Sequence, residues 1–303
     1  MRVLVTGIAG LLGRYLLDES DGSVEIHGVS RGGWPKSLSQ HCTMHELDLT
    51  DPDALLRLLK QVKPDVIVHA AAEGRVDVVE RNPDEFLPLN VRVSTELATF
   101  AGCQGSRYVF VSSNAVFGGK GNRYRDNSPF DPVNKYGILK SEAEISVLRV
   151  NPEALVIRPI LMYGWPFPGQ RLNPVVGWIE QLRRGEQILV VDDVWTEPLA
   201  AWDCAKAIWG GIDGGVIGGV NVSGGVRMSL YDFALLVRAI FGLDPHLITP
   251  ISSDILPAIA PRPRDTSFDL ARLFAEMGME TEDPNRGLQR LKETEPSPET
   301  HES

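Results

Sequence analysis

A tyrosine and a lysine four residues apart, Tyr136 and Lys140, are the side chains best placed to cooperate in proton transfer. The segment around them, Asn134–Val150, has the apolar periodicity of a helix, where this spacing puts two side chains one turn apart on one face. A nearby lysine cation favours the phenolate and lowers the pKa of the tyrosine, as a general acid near neutral pH requires. The spacing also occurs by chance, so other residues must support an active site.

Ser113 is the second candidate, because it directly follows Tyr108–Ser112, a segment typical of a buried strand. Its hydroxyl would lie at the carboxyl end of that strand, where ligands bind in open parallel sheets. From there it could orient a carbonyl oxygen while Tyr136 donates a proton to that oxygen. A helix N-cap is the alternative role for the same side chain.

The chain begins with a glycine-spaced turn, Thr6-Gly7-Ile8-Ala9-Gly10-Leu11-Leu12-Gly13, between a short Val/Leu run and an apolar-periodic stretch. Glycine allows a sharp turn and lets the backbone approach a phosphate without an intervening Cβ. The free N–H groups at the start of the following helix attract an anion. The pattern therefore predicts a pyrophosphate cradle at the start of a dinucleotide-binding fold.

Strand-like and helix-like segments alternate over residues 1–160, and this regularity is lost afterwards. Such alternation predicts parallel βαβ units with helices on both faces of the sheet. We predict an α/β fold, a Rossmann-type doubly wound parallel sheet formed by residues 1–160 with later returns of the chain to it. A smaller C-terminal substrate-binding lobe is expected over residues 161–292. Residues 293–303 hold four carboxylates and no lysine or arginine, which predicts a disordered acidic tail.

The composition excludes several classes of protein. A formal net charge of −10 over 303 residues argues against a nucleic-acid-binding surface. No stretch approaches the roughly twenty apolar residues of a membrane-spanning helix, and the N-terminus enters a predicted strand without a signal peptide. Three widely spaced cysteines, Cys42, Cys103 and Cys204, fit reduced thiols better than disulfides or a metal site. We expect a cytoplasmic protein with no metal, nucleic-acid or membrane partner.

Taken in order, T-G-x-x-G-x-x-G, an S-S-x-x-V-F strand end and Y-x-x-x-K resemble the motifs of the extended short-chain dehydrogenases/reductases. Within that superfamily the chain most resembles the dTDP-4-dehydrorhamnose reductase group, over residues 1 to about 290. The further supporting stretches are Asp48-Leu49-Thr50, His69-Ala70-Ala71-Ala72, Val76-Asp77 with Glu80, Asn90, Arg158-Pro159-Ile160 and Arg262–Asp269.

This resemblance implies hydride transfer from a nicotinamide to the C4 ketone of a nucleotide-activated 6-deoxysugar. Tyr136 would be the acid, Lys140 would hold the nicotinamide ribose and tune Tyr136, and Ser113 would orient the carbonyl. The implied partner is a nucleotide sugar, and a homodimer is compatible with the resemblance.

The choice of cofactor depends on the end of the second predicted strand, where Ser30 and Arg31 stand in place of an acidic residue. Because a guanidinium pairs well with a 2′-phosphate, we expect NADP, with NAD as the other option. The other residues assigned to the cofactor are Gly7, Ala9, Gly10, Leu11, Leu12, Gly13, Asp48, Leu49, Ala70, Ala71, Ala72, Asn90, Ser112, Tyr136, Lys140 and Arg158.

The residues assigned to the substrate are Val76, Ser113, Asn114, Trp195 and Arg262. Two of these stand where the chain departs from the reductase group. The usual S-T-D-Y-V-F is here Ser112–Phe117, so that the acidic and aromatic residues are replaced by Asn114 and Ala115. The usual D-x-x-G-x-P-T is here Asp193–Leu199 and includes Trp195, whose ring could stack on a sugar or base.

Two other functions stay open. Ala71–Glu80 and Arg158–Gly164 resemble stretches of the regulatory β subunit of methionine adenosyltransferase, which implies an NADP-binding partner protein without catalysis. The other is a nucleotide-sugar epimerase or dehydratase. Dehydratases, however, place acidic residues directly after the strand-end serine or threonine, where this chain has Asn114 and Ala115.

Overall fold

A parallel sheet is the centre of the described part of the chain, residues 1–121, 123–255 and 259–296 of a computed structural model. The strands are β1 (Arg2–Thr6), β2 (Glu25–Ser30), β3 (Thr43–Glu46), β4 (Val66–His69), β5 (Arg107–Val111), β6 (Leu155–Pro159), β7 (Met162–Tyr163), β8 (Ile188–Val191), β9 (Trp195–Thr196), β10 (Leu199–Ala200), β11 (Gly218–Val222), β12 (Met228–Ser229) and β13 (Ile248–Ile251). Seven of them form one sheet in the order β11-β6-β5-β4-β1-β2-β3, and every neighbouring pair is parallel. This doubly wound sheet confirms the predicted fold class.

The middle strands are buried on both faces, which explains their continuous Val/Ile runs. In β1, Val3 and Val5 belong to one hydrophobic cluster, whereas Leu4 between them belongs to another. Side chains alternate across a strand, so the two clusters lie on opposite faces of the sheet. Each face therefore needs a layer of helices to cover it.

The helices are α1 (Leu11–Asp18), α2 (Pro52–Val62), α3 (Val76–Arg81), α4 (Pro83–Leu87), α5 (Val93–Gln104), α6 (Lys135–Val150), α7 (Pro174–Arg183), α8 (Ala201–Asp213), α9 (Leu230–Phe241), α10 (Ala271–Met277) and α11 (Pro284–Glu293). Helices α1 and α8 pack together on the face that holds Val3 and Val5. Helices α2, α5 and α6 contribute to the cluster of Leu4. Within the described residues, no helix has both the length and the apolar character to cross a bilayer.

The second half of the chain divides between the sheet and a smaller group of elements. Strand β11 pairs with β6, and α8 packs on α1, so the chain returns to the sheet beyond residue 160. In the smaller group, β7 pairs with β10, β8 with β13 and β9 with β12. Helices α7 and α9 pack beside β8 around a separate hydrophobic cluster that includes Leu182 and Ala234.

Two predicted elements have different limits in the structure. The helix expected from Asn90 begins as a π-helical turn, Pro88–Arg92, which continues into α5. The acidic tail expected from residue 293 begins on the last residue of α11, and Glu295 forms an ion pair with Arg183. The rest of that predicted tail, residues 297–303, lies outside the described residues.

Candidate functional site

The glycine-spaced turn connects β1 to α1 as the sequence indicates. Gly7 has φ +73°, and a Cβ added there would lie 2.8 Å from the backbone nitrogen of Ala71. Gly10, which has no side chain, is the N-cap of α1. The first N–H groups of a helix lack partners within the helix. The turn therefore fits an anionic group such as the pyrophosphate of a dinucleotide.

Ser30 and Arg31 lie at the end of β2, beside the segment that follows β3. The Ser30 hydroxyl donates to the carbonyl of Gly32 at 3.2 Å, and Arg31 is exposed. Hydrogen bonds from Thr50, with a smaller contribution from the Arg31 charge, hold the pKa of Asp48 below its usual value. The structure thus brings Arg31 and Asp48 together at one edge of the sheet.

A buried hydrogen-bond network holds the loop Ala70–Ala72 against the glycine turn. His69 Nδ1 lies 2.7 Å from Thr6 Oγ1, and His69 Nε2 lies 3.0 Å from Ser94 Oγ. Thr6 Oγ1 also accepts from the backbone N–H of Ala71 at 3.2 Å. Burial, with a contribution from the Lys140 charge, lowers the pKa of His69 to about 3. His69 is therefore a neutral structural group at physiological pH.

Asn90, which we assigned to the cofactor, is 1% exposed and contacts the loop after Ala72. Its amide oxygen accepts from the N–H of Glu73 at 2.9 Å, and its amide nitrogen donates to the carbonyl of Glu73 at 3.2 Å. These two bonds fix the loop that follows β4. The Asn90 side chain therefore supports the loop that contains Glu73.

Tyr136 lies in the first turn of α6, and two neighbours determine its position. The amide oxygen of Asn134, the N-cap, accepts from the N–H of Gly137 at 2.8 Å. At Gly137 an added Cβ would collide with the carbonyl oxygen of Ala115, so only glycine allows α6 to pack this closely. Tyr136 is half-buried and faces the end of β5, where Ser113 lies.

The pKa of Tyr136 differs from the sequence-based expectation. Burial raises it to about 12, while the Ser113 hydroxyl and the Arg171 charge oppose that rise and Glu73 adds to it. Lys140, which we expected to lower this pKa, is not among these contributions. Desolvation of the phenol dominates, so Tyr136 is a protonated phenol at neutral pH.

Lys140 is directed into the protein interior. Its ammonium donates to the carbonyl of Val111 at 2.8 Å and lies 4.7 Å from the centre of the Phe110 ring. Burial lowers the pKa of Lys140 to about 8, while the Glu144 carboxylate acts in the opposite direction. The ammonium thus lies beneath the end of β5, one turn of α6 beyond Tyr136.

Ser113 combines the two roles that the sequence left open. Its hydroxyl accepts from the N–H of Ala115 at 3.1 Å and caps a short 3₁₀ turn, Asn114–Val116. The same hydroxyl is beside the Tyr136 phenol and lowers the pKa of that phenol. A local cap therefore holds Ser113 in place next to the Tyr136 phenol.

Ser112 and Arg158, which we assigned to the cofactor, have buried side chains. Both contact the fully buried carboxylate of Glu144: the Ser112 hydroxyl donates to it, and Arg158 Nη2 lies 2.7 Å from Oε2. Arg158 also donates to the carbonyl of Asp126 at 2.8 Å. A buried carboxylate needs a cation and hydrogen-bond donors, and these two residues supply them. In the structure these two side chains therefore hold α6 against the sheet.

A cleft of about 710 Å³ brings the remaining candidates together. It lies at the carboxyl ends of β5 and β6 and extends towards the smaller group of elements. Its lining includes Tyr136 and all five residues that the sequence analysis assigned to the substrate, Val76, Ser113, Asn114, Trp195 and Arg262. Apolar side chains line another part of the same cleft, namely those of Ile160, Leu161, Val191, Val194 and Leu230.

Two arginine contacts shape the wall of this cleft. The Arg227 guanidinium lies 3.8 Å from the centre of the Trp195 ring and pairs with Asp265 at 2.7 Å. Arg262 pairs with Asp77 of α3 at 3.0 Å. Trp195 is thereby a supported aromatic surface, and Arg262 is fixed at the side of the cleft that contains Val76.

Sequence reasoning missed the loop Gly164–Asn173, which approaches both ends of the site. Gln170 donates to the carbonyl of Gly33 at 2.8 Å, near the end of β2. The charge of Arg171 acts on Tyr136 and on Glu73. No spacing in the sequence indicates that Arg171 lies near Tyr136, because the loop has no periodic pattern that would relate it to α6.

The chain resembles several known proteins over most of its length. Residues 1–295 match the RmlD substrate binding domain family. Methionine adenosyltransferase 2 subunit beta of Bos taurus is 32% identical over 285 residues, which are 90% of this chain and 81% of that protein. The dTDP-4-keto-6-deoxy-D-glucose reductase of Streptomyces niveus is 30% identical over 268 residues, which are 88% of this chain and 87% of that protein.

Solved structures share the fold. The dTDP-4-dehydrorhamnose reductase of Bacillus anthracis str. Ames, crystallised in complex with NADP, has a TM-score of 0.86 and 24% identity, covering 97% of this chain and 99% of that one. A dTDP-4-dehydrorhamnose reductase of Clostridium acetobutylicum ATCC 824 has a TM-score of 0.86 and 26% identity with the same coverage. These similarities extend over both the sheet and the smaller group of elements.

Proposed function

We propose that this chain, which belongs to the RmlD substrate binding domain family, is an NADPH-dependent reductase. Its substrate would be a nucleotide-activated 4-keto-6-deoxysugar. One observation carries the proposal. Tyr136 and Ser113 are adjacent at the wall of the cleft that also contains Trp195 and Arg262. A proton donor, a hydroxyl for a carbonyl oxygen and groups suited to a nucleotide sugar thus meet in one place.

The cofactor would lie across the carboxyl ends of β1, β2 and β4. The turn Gly7–Gly10 and the start of α1 would hold its pyrophosphate, and Ala70–Ala72 would border it on the other side. Arg31 would pair with the 2′-phosphate of NADPH, and Asp48 and Leu49 would border the adenine. Lys140 would hold the nicotinamide ribose.

The protein residues supply the proton and the orientation of the substrate. A bound reduced nicotinamide supplies the hydride. The Ser113 hydroxyl donates a hydrogen bond to the C4 carbonyl oxygen, and Tyr136 transfers its phenolic proton to that oxygen as the carbon is reduced. The C4 ketone thus becomes a hydroxyl. The charge of Arg171 favours the phenolate left on Tyr136.

The nucleotide part of the substrate would bind at the other end of the cleft. Trp195, supported by Arg227 at 3.8 Å, would stack on a base or sugar. Arg262 and Arg264, which line the same wall, would pair with the diphosphate.

Transfer of deuterium tests the reaction directly. The protein is incubated with dTDP-4-keto-6-deoxyglucose and NADPH that carries deuterium on either face of nicotinamide C4, in separate runs. We expect one of the two to yield a 4-hydroxy sugar that is one mass unit heavier, with the label at C4. An epimerase or dehydratase would instead convert the nucleotide sugar without net oxidation of NADPH, which would contradict the proposal.

A second candidate is a regulatory subunit of a methionine adenosyltransferase. The observation that favours it is the 32% identity to the Bos taurus β subunit over 90% of this chain. This function predicts tight NADPH binding without turnover and a stable complex with a methionine adenosyltransferase catalytic subunit. Sedimentation of the mixed proteins would detect that complex.

A further inference from the structure

The segment Ile259–Thr266 forms one wall of the cleft, and side chains from the first half of the chain hold it. Asp77 Oδ1 accepts from the N–H of Ala260 at 3.0 Å. Asn134 Nδ2 donates to the carbonyl of Pro261 at 2.9 Å, and Asn114 Nδ2 donates to Thr266 Oγ1 at 2.6 Å. The wall is thus attached at both its ends, twice at Ala260 and Pro261 and once at Thr266.

Two of these three attachments are next to the proposed reacting groups. Asn114 follows Ser113 directly, and Asn134 lies two residues before Tyr136. Asn134 is 4% exposed, whereas Pro261 is exposed. The wall is therefore connected to the start of α6 through a buried side chain.

Asn134 uses both halves of its amide. The oxygen caps α6 by accepting from the N–H of Gly137 at 2.8 Å, while the nitrogen donates to Pro261 at 2.9 Å. Serine or aspartate would cap the helix equally well. The asparagine amide carries its acceptor and its donor on two separate atoms, which contact Gly137 and Pro261 at the same time. The cap by itself does not require asparagine.

We propose that Asn134 is a positioning residue that couples the docking of Ile259–Thr266 to the orientation of Tyr136. The inference rests on the proposed function, since Arg262 and Arg264 on this segment would meet the substrate diphosphate. A nucleotide sugar that fixes the segment then also fixes the first turn of α6, and with it the acid. The coupling acts on substrate and leaves the cofactor site unaffected.

Asn134→Ser separates the two roles, because the hydroxyl keeps the cap acceptor and is too short to reach Pro261. We expect an unchanged melting temperature and NADPH Kd, because Pro261 is exposed and water can replace the lost donor. The KM for the nucleotide sugar should rise about tenfold, because the segment loses one of its attachments. Asn134→Asp also keeps the cap, but it turns a carboxylate oxygen towards the Pro261 carbonyl and should raise this KM at least as much. Asn134→Ala removes the cap as well and should lower the melting temperature.

Hydrogen exchange tests the coupling without requiring turnover. In the free protein, Asn134→Ser should accelerate exchange in Ile259–Thr266 and leave the cap at Gly137 protected. In the wild type, thymidine diphosphate should slow exchange both in that segment and in the first turn of α6. In Asn134→Ser it should slow exchange in the segment alone.

The outcomes separate this inference from the proposed function. Unchanged exchange in Ile259–Thr266 for Asn134→Ser, or a KM equal to that of the wild type, would overturn the positioning role. A lower melting temperature and a weaker NADPH affinity that accompany the raised KM would also overturn it, because they would indicate a purely structural residue. Absence of reductase turnover in the wild type would count against the proposed function only.

Discussion

Glu144 of α6 and Arg158 of β6 form an ion pair that is 0% and 4% exposed, with 2.7 Å between Oε2 and Nη2. Glu144 is on the same helix as Tyr136 and Lys140. Tyr136 lies about two turns before Glu144, and Lys140 lies one turn before it. The pair therefore fixes that helix against the sheet at the depth of Lys140. It also places a carboxylate where it favours the charged form of the Lys140 ammonium.

Glu144→Gln is expected to destabilise the protein strongly. It would leave the Arg158 guanidinium buried without a carboxylate, and losing one partner of a buried pair costs about 3–5 kcal/mol. Urea unfolding measures the change in the free energy of unfolding. Glu142→Gln on the same helix is the control, since Glu142 is exposed and should change stability by less than about 0.5 kcal/mol. Equal effects of the two changes would contradict this account of the pair.

The sequence predicted the parts of the site that depend on local pattern. The glycine turn, the strand before Ser113 and the helix that carries Tyr136 follow from spacing and periodicity, which act over short stretches of chain. Because the carboxyl ends of parallel strands share one edge, the sheet then brought Ser113, Tyr136 and the predicted substrate residues to one cleft.

The contacts of the buried charges were not predictable in this way. Lys140 was expected to act on the Tyr136 pKa, but its ammonium donates to Val111. Arg158 was assigned to the cofactor, but Glu144 binds it inside the protein. Such partners come from segments distant in sequence, and desolvation of each group depends on the whole packing. The position of Arg171 was not predictable either, because its loop has no periodic pattern and is distant in sequence from Tyr136.

The buried His69 should make stability depend on pH. Its pKa is lowered to about 3 in the folded protein, against about 6.5 in an unfolded chain. The unfolded state therefore binds a proton that the folded state does not, and stability is lost as pH falls below about 6.5, by up to about 1.4 kcal/mol per pH unit.

His69→Gln removes this titration while keeping a polar side chain of similar size. We expect the pH dependence of the free energy of unfolding between about pH 5 and pH 7 to become shallower by up to about 1.4 kcal/mol per unit. Urea unfolding at three pH values measures it. His246→Gln, at an exposed position, should leave the dependence unchanged. An equally steep dependence in His69→Gln would rule out this histidine as the cause.

Arg31→Asp should shift the cofactor preference towards NADH. The carboxylate repels a 2′-phosphate and accepts hydrogen bonds from the ribose hydroxyls of NAD. We expect NADPH affinity to fall about tenfold or more, which corresponds to losing one charge-assisted hydrogen bond of about 1.5–3 kcal/mol. Titration with NADPH and NADH measures both values. Arg57→Asp makes the same charge change on the exposed side of α2 and should alter neither; identical effects of the two variants would remove Arg31 from the cofactor site.

Tyr136 is proposed to supply the proton in an NADPH-dependent reduction. The most direct measurement is oxidation of NADPH with dTDP-4-keto-6-deoxyglucose by the wild-type protein and by Tyr136→Phe, with NADPH affinity determined for both. The account predicts turnover in the wild type, a loss of at least about a hundredfold in kcat for Tyr136→Phe, and similar NADPH affinity in both. Comparable turnover by the two proteins would contradict it.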